Sequence, residues 1–155
     1  MDLQVQYEKL LRYCIMLTRD RMLAEDLVQE TFLRFWQSRS YRDTGKELAY
    51  LYVIARNLCM DEFRRHPTED LDACSELAGD HRQEPEAQLD RLTLEAALDR
   101  LPPELREMVV LRYTNELSVT DIAQIVGLSR FAVHRRLKEG LALLKEMLGG
   151  KTDEE

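Results

Sequence analysis

The chain has 155 residues, of which 45% are hydrophobic and 33% charged, and its formal net charge is −7. This composition is ordinary for a globular protein and excludes disorder of the whole chain. No apolar run approaches the ~20 residues that span a bilayer, and the N-terminus does not resemble an export signal. We therefore expect a cytoplasmic protein without membrane insertion. Three widely spaced cysteines argue against a disulfide scaffold and a structural zinc site.

The negative charge is concentrated in one stretch. Residues 67–90 contain eight acids and only one basic residue, Arg82, whereas the segments on either side are close to neutral. The stretch also contains Pro67, Pro85 and Gly79 and has little apolar periodicity. These features predict a flexible acidic linker, residues 67–88, between two domains at 1–66 and 89–149.

In the first domain, apolar residues recur at intervals of three and four and predict helices over 4–18, 22–38 and 47–65. No strand-like alternation occurs anywhere, so the predicted fold class is all-α, with two small helical domains. In the second helix one stripe is predicted to face the core: Leu27, Val28, Phe32, Phe35 and Trp36. In the third, the residues predicted to pack inward are Leu51, Ile54, Ala55 and Leu58. The face of the second helix left outside contains Glu25, Asp26, Gln29, Glu30 and Leu33.

The second domain is predicted to contain helices at 88–100 and 103–114, separated at Pro102-Pro103, and then a helix-turn-helix. Its first helix covers 119–126, with Ser118 as the N-cap. Gly127 provides the turn. Ser129 caps a second helix that runs to about residue 148.

The second helix of this motif has a basic face that is predicted to contact DNA. Between residues 130 and 145 there are five Lys and Arg residues and one acid, Glu139. An alternative is a structural three-helix bundle with solvated arginines, in which Arg135 or Arg136 pairs with Glu139 or Asp121. The residues predicted to lie on the exposed face are Arg130, Phe131, His134, Arg135 and Lys138.

Motifs for catalysis or metal binding are missing from the sequence. The three histidines, His66, His81 and His134, have no metal-ligand or triad spacing. There is no phosphate-binding glycine loop and no nucleophile elbow. We expect no catalytic residue, no metal and no cofactor, and hence a protein that is not an enzyme.

Three segments carry a resemblance to a known family. The stretches AEDLVQETFLRFWQS, LYVIARNLCMDEFRR and LPPELREMVVLRYTNELSVTDIAQIVGLSRFAVHRRL occur in this order. They resemble regions 2 and 4 of the extracytoplasmic-function (ECF) RNA polymerase sigma factors of the sigma-70 family. The resemblance covers almost the whole chain and implies an alternative sigma factor that initiates transcription.

The resemblance also implies partners and residue roles. The partners are bacterial core RNA polymerase, contacted at its clamp helices and flap, promoter DNA, and an anti-sigma factor. The first domain would read the minus-ten element and the second the minus-thirty-five element. The implied core polymerase contacts are Asp26, Gln29, Glu30 and Leu33. The implied minus-ten contacts are Tyr50, Arg56 and Asn57, together with Arg42 and Lys46 on the preceding loop.

Two alternatives from other classes stay open at this point. The weaker is an interaction-only protein, such as a polymerase decoy without DNA binding. The stronger is a transcriptional regulator that combines the C-terminal helix-turn-helix with an N-terminal sensing or dimerisation domain. Such a regulator gives no reason for the segments AEDLVQETF and IARNLCMDEF. The sequence also leaves open how the two domains are arranged in the free protein.

Overall fold

The computed structural model describes residues 3–38, 46–65 and 89–149. Within these ranges all regular structure is helical, which confirms the all-α prediction, and no described helix is long and apolar enough to cross a membrane. A π-helical turn, Val110–Thr114, follows the fifth α-helix. The α-helices are α1 (Leu3–Thr18), α2 (Arg21–Gln37), α3 (Glu47–Arg65), α4 (Leu89–Arg100), α5 (Pro103–Val109), α6 (Val119–Val126) and α7 (Arg130–Met147).

Helices α1, α2 and α3 pack against one another and form the N-terminal half. Asp20 caps α2, because its carboxylate accepts a hydrogen bond from the backbone N–H of Leu23 at 3.2 Å. The core of this half is built from side chains that all three helices contribute. They are Leu10, Tyr13, Cys14, Ala24, Leu27, Val28, Phe32, Ala49, Leu51, Tyr52, Ala55 and Cys59.

Two of the cysteines lie in this core. Cys14 of α1 and Cys59 of α3 are both free and fully buried, and each thiol lies next to the other. The hydrogen bond with Cys59, together with burial, raises the pKa of the Cys14 thiol above its ordinary range. Cys14 therefore stays protonated, as expected for a small buried hydrophobic residue.

In the C-terminal half, α5 packs along α7 and α6 packs across the start of α7. Both predicted caps are confirmed: Ser118 Oγ accepts from Asp121 N at 3.1 Å, and Ser129 Oγ accepts from Ala132 N at 3.0 Å. Gly127 ends α6 with φ of 75°, a left-handed conformation that glycine adopts at little cost. The helix-turn-helix is therefore present as predicted.

The single helix predicted over 103–114 is wrong in its second part. The α-helix ends at Val109, and the backbone continues as a π-helical turn in which Asn115 N donates to Val110 O at 2.9 Å. The wider turn brings the Asn115 side chain against α1, where its Nδ2 donates to Lys9 O at 3.0 Å. The contact of Asn115 with α1 thus accompanies a π-helical turn where the periodicity predicts a continuous α-helix.

The two halves are in direct contact. Helix α6 packs against α3, and the π-helical turn contacts α1. The buried apolar residues of both halves form one continuous cluster. Two ion pairs lie at the edge of this contact, Lys9–Glu116 at 3.1 Å and Arg19–Asp99 at 3.3 Å.

Parts of the predicted core differ from the observed one. Trp36 is 60% exposed, although the α2 stripe was predicted to bury it. At 100° per residue Trp36 lies between buried Phe32 and the exposed position of Gln29, so it belongs to the edge of the stripe. In α3, Ile54 and Leu58 are only half-buried. Arg42, the predicted linker 67–88 and Cys74 lie outside the described residues.

Candidate functional site

Five exposed residues of α2 lie on one line along the helix, and we call this line the α2 seam. Successive members are separated by four, three, four and three residues, which is the spacing of the a and d positions of a coiled coil. Three members are large and apolar, and their exposed fractions are 78%, 54% and 60% for Met22, Leu33 and Trp36. The members are Met22, Asp26, Gln29, Leu33 and Trp36.

A groove of about 490 Å³ borders the α2 seam between α1 and α2. Its floor is aromatic, because the Tyr7 ring stacks on Phe32 at 6.1 Å and the Phe32 ring contacts Trp36 at 5.6 Å. Gln4 and Gln29 lie at its rim. A groove of this kind accepts apolar side chains from a partner and has polar side chains at its rim.

Three of the four predicted polymerase contacts lie in the seam, and one flanks it. Asp26, Gln29 and Leu33 are exposed seam members. Glu30 lies beside the seam, where its carboxylate accepts a hydrogen bond from Arg34 Nε at 2.9 Å. A charge reversal at Glu30 would therefore also remove an ion pair within α2.

The residues predicted to read the minus-ten element lie on α3 and just before it. Asn57 and Lys46 are exposed. Tyr50 is half-buried, its hydroxyl donates to Ser38 Oγ at 3.0 Å, and its ring contacts Phe35 at 5.9 Å. The described structure thus leaves the Asn57 amide and the Lys46 ammonium group open to a ligand.

Arg56 is instead engaged with the other half of the molecule. Its Nε donates to Glu107 Oε2 at 2.7 Å and its Nη2 to Glu107 Oε1 at 3.2 Å. The Tyr13 hydroxyl donates to the same Oε2 at 2.5 Å. We call Tyr13, Arg56 and Glu107 the Glu107 triad; they come from α1, α3 and α5, respectively.

The triad is largely removed from solvent. Glu107 is 5% exposed and Tyr13 is fully buried. Burial, followed by the neighbouring Glu107 carboxylate, raises the pKa of the Tyr13 phenol well above its ordinary value. Hydrogen bonding to Glu107 likewise raises the pKa of the Arg56 guanidinium. Both groups therefore stay protonated and donate to the carboxylate.

A second polar contact joins the halves beside the triad. Buried Asn115 donates through Nδ2 to the Tyr52 hydroxyl at 2.5 Å and to Lys9 O at 3.0 Å. Burial raises the pKa of Tyr52 to about 12, although the hydrogen bond with Asn115 acts in the opposite direction. The Oδ1 atom of Asn115 is buried and accepts no hydrogen bond from the described residues.

Helix α7 presents the basic face that the sequence predicted. All five of its predicted DNA-contact residues are exposed, and they form two adjacent rows with a spacing of four, 130/134/138 and 131/135, on one side of the helix. Phe131 is 78% exposed and, with His134 and Thr120 of α6, lines a groove at the start of the helix. The residues are Arg130, Phe131, His134, Arg135 and Lys138.

The two adjacent arginines of α7 differ in position. Arg135 is exposed, whereas Arg136 is half-buried. Within the described C-terminal half, neither forms an ion pair with Glu139 or Asp121, as the structural-bundle interpretation required. The basic face is thus not neutralised by acids of its own half.

Sequence reasoning missed several residues of these surfaces. Met22 and Trp36 extend the α2 seam at both ends, and their seven-residue offsets from Gln29 were the available signal. Glu107 and Asn115 had no signal, because their partners are 51 and 63 residues away in the chain. Among the described residues, no three His, Cys, Asp or Glu side chains are grouped as a metal site would require.

Comparisons with known proteins cover both halves. The chain matches the family model for Sigma-70 region 2 over residues 5–68 and that for Sigma-70, region 4 over residues 91–144. It is 34% identical to the ECF RNA polymerase sigma factor SigL of Mycobacterium tuberculosis over 140 residues, which cover 86% of this chain and 79% of the relative. It is 30% identical to the ECF RNA polymerase sigma factor SigM of Bacillus subtilis over 146 residues, which cover 87% of this chain and 90% of the relative.

The fold is also similar to a solved structure. The sigma factor RpoE in complex with the anti-sigma factor NepR, from Bartonella quintana, superposes with a TM-score of 0.73 and 24% sequence identity. The superposition covers 94% of this chain and 93% of that one. At this level of identity the likeness shows a shared fold.

Proposed function

This chain belongs to the ECF RNA polymerase sigma factors, alternative sigma factors for transcription initiation, and we propose that it binds core polymerase through the α2 seam and promoter DNA through α3 and α7. Family membership favours the sigma-factor interpretation over the transcriptional regulator. A regulator with a sensing or dimerisation domain has no counterpart among the matched families.

The α2 seam is the observation that carries the polymerase assignment. Its heptad spacing fits a helical partner, because a and d positions pack into the side chains of a facing helix. The clamp helices of the polymerase form a coiled coil and are a partner of this kind. Leu33 and Trp36 supply the apolar contact, while Asp26 and Gln29 supply charge and hydrogen bonds.

The minus-ten surface lies on α3. Asn57 is exposed and carries both a donor and an acceptor, so it can bond the edge of an unstacked base. Tyr50 and Lys46, with Arg42 on the loop before α3, complete the proposed surface. Arg56, the neighbour of Asn57, is suited to a phosphate once its bond to Glu107 is broken.

The minus-thirty-five surface is the exposed face of α7. In helix-turn-helix proteins the second helix enters the major groove and its N-terminal residues contact base edges. Arg135 can bond guanine through its planar guanidinium, and Lys138, one turn further on, can neutralise a phosphate. The exposed ring of Phe131 can contact a thymine methyl group.

Each DNA-contacting surface is small, and the two act together when one polymerase holds both. Linking two weak binding sites makes the second binding event intramolecular. This explains how a chain with net charge −7 can bind DNA specifically. We further propose that the protein is cytoplasmic and non-enzymatic, and that an anti-sigma factor regulates it, as NepR is bound to the structurally similar RpoE.

Reconstituted transcription tests the proposal. The full chain is combined with bacterial core polymerase and a library of genomic promoter fragments, and run-off transcripts are sequenced. We expect co-purification with the core enzyme and transcripts that share minus-ten and minus-thirty-five elements. Failure to bind the core enzyme would reject the proposal, whereas core binding without promoter-directed transcripts would reject the DNA assignments only.

A further inference from the structure

The contact between the two halves occupies a residue that the proposed function needs. The guanidinium of Arg56 offers Nε and Nη2 as a two-pronged donor, and both atoms bond the Glu107 carboxylate. The side chain of Arg56 is only 25% exposed. A DNA phosphate would bind the same two donors, because phosphate and carboxylate present oxygen pairs of similar geometry. In this arrangement Glu107 stands where a phosphate oxygen pair would bind.

The contact between the halves combines apolar packing with buried polar groups, and the polar groups favour an interface that can open. A carboxylate is costly to bury without partners, and Glu107 obtains all three of its hydrogen bonds from the opposite half. In a permanent interface, apolar side chains at these positions would stabilise the contact as much as the buried ion pair does, or more. Asn115 Oδ1, buried without an acceptor bond from the described residues, adds a further cost to the closed arrangement. When the halves separate, Glu107 and Asn115 regain water.

The closed arrangement is incompatible with reading both promoter elements. Elements at minus-ten and minus-thirty-five are about 25 base pairs apart, which is roughly 85 Å at about 34 Å per ten base pairs. In the structure α6 of the helix-turn-helix packs directly on α3. The 23 residues between Arg65 and Leu89 can span roughly 80 Å when fully extended, at about 3.3–3.6 Å per residue. Because the widths of the two halves add to this reach, the chain is long enough for the separation that promoter binding demands.

We propose that the Glu107 triad holds the free protein in a closed, autoinhibited state, in which Glu107 occupies the donors with which Arg56 binds a DNA phosphate. Separation of the halves on the polymerase exchanges the carboxylate for the phosphate. The replacement of the Glu107 carboxylate by a DNA phosphate rests on the proposed function. The contact between the two halves is a property of the free chain and can be tested without DNA.

The test compares Glu107→Gln with wild type and with Glu104→Gln, an exposed residue of the same helix that undergoes the same change of charge. Small-angle scattering gives the radius of gyration of each full chain. Anisotropy with a labelled oligothymidine strand gives the affinity for single-stranded DNA, and the difference between variants reports the phosphate contact of Arg56. We expect Glu107→Gln alone to increase the radius of gyration and to bind the strand at least threefold more tightly.

A second variant separates closure from DNA contact. Arg56→Gln breaks the same bonds and should increase the radius of gyration, but it should not bind the strand more tightly, because the phosphate-binding group is gone. Circular dichroism verifies folding, and if Glu107→Gln unfolds, Tyr13→Phe replaces it, with a smaller effect in the same direction. An unchanged radius of gyration in the folded variants, or equal gains from Glu104→Gln, would overturn the proposal.

Failure of this inference can be told apart from failure of the proposed function. If wild type transcribes with core polymerase and Glu107→Gln scatters like wild type, only the autoinhibitory contact is rejected. If wild type does not bind the core enzyme but Glu107→Gln opens the free chain, closure holds and its role in promoter binding is rejected.

Discussion

A Cβ atom on Gly140 would lie 2.9 Å from Cγ2 of Val109, so α7 passes α5 more closely than any other residue type allows without movement. Val109 is buried and β-branched, and its methyl group has little freedom to move. We predict that Gly140→Ala lowers the free energy of unfolding. The clash costs about 1–3 kcal/mol, which exceeds the gain of about 1 kcal/mol from better helix propensity. Urea unfolding measures the difference.

Gly127 provides the matched control for this prediction. A Cβ there would meet nothing within 4 Å, but φ is 75°. Both Gly→Ala changes should therefore destabilise, for different reasons, and only Gly140→Ala should be rescued by the shorter side chain of Val109→Ala. Equal coupling of both glycines to Val109→Ala would show that crowding is not the cause at Gly140.

The α2 seam predicts which surface changes weaken polymerase binding. Leu33→Glu places a charge in the middle of an apolar contact, and Trp36→Ala removes a large exposed ring beside it. We expect each change to cost about 2 kcal/mol or more of binding free energy, as central apolar and aromatic anchors of interfaces do. Affinity for core polymerase, measured by fluorescence competition, checks this.

Both residues are already exposed, so the fold should not change. Gln124→Glu, at an exposed position of α6, introduces the same charge as Leu33→Glu outside the seam and serves as the control. Wild-type affinity of Leu33→Glu, or an equal loss in Gln124→Glu, would contradict the assignment of the seam.

Local patterns were enough to predict the helices of this protein, because each has a hydrophobic period or a cap within its own residues. Two serines accept hydrogen bonds from the backbone three positions on, and Gly127 turns the backbone where α6 ends. The roles of Ser118, Ser129 and Gly127 can therefore be predicted from spacing alone. The start of the π-helical turn at Val110 depends on contacts with α1 and had no such signal.

In the candidate site, too, features that follow from helical periodicity could be predicted, and contacts between residues distant in sequence could not. Exposure of Arg135 and Gln29 follows from helical periodicity, and the sequence predicted both. The exposure of Trp36 also follows from its angle on α2, at the edge of the buried stripe. The bond between Arg56 and Glu107 instead depends on how two parts of the chain that are 51 residues apart meet. Contacts of high sequence separation leave no periodic trace in a single sequence.

Two residues of α7 should separate base reading from phosphate binding. Arg135→Ala should cost about 1–3 kcal/mol at the cognate minus-thirty-five element and relax sequence preference, because a bidentate base contact is lost. Lys138→Ala should weaken binding to all DNA sequences alike. It should also reduce the slope of log affinity against log salt concentration by about one, because one phosphate contact is lost. Binding to a randomised promoter set at several salt concentrations measures both effects. Identical profiles of the two variants would refute the assigned roles, and Glu146→Ala, exposed near the end of α7, is the control.

Buried Tyr52 predicts a loss of stability in alkali. Its pKa is about 12 in the folded protein, above the ordinary value of 10. Below pH 10 both the folded and the unfolded chain keep the proton, so the stabilisation is fully present. Above pH 10 the unfolded chain releases the proton while the folded chain holds it until about pH 12. The free energy of unfolding therefore falls across this window, by at most about 2–3 kcal/mol for a shift of about two units.

Tyr52→Phe isolates this contribution, since phenylalanine fills the same space and has no proton to lose. The variant gives up the hydrogen bond with Asn115, so it should be less stable than wild type at pH 9. Between pH 9 and about pH 12 its stability should fall less steeply, because one linked proton has been removed. Urea unfolding at both pH values checks the slope, and Tyr113→Phe, at an exposed tyrosine, is the control. Equal slopes for wild type and Tyr52→Phe would mean that the phenol of Tyr52 ionises at the same pH in the folded and the unfolded chain, and this would contradict the prediction.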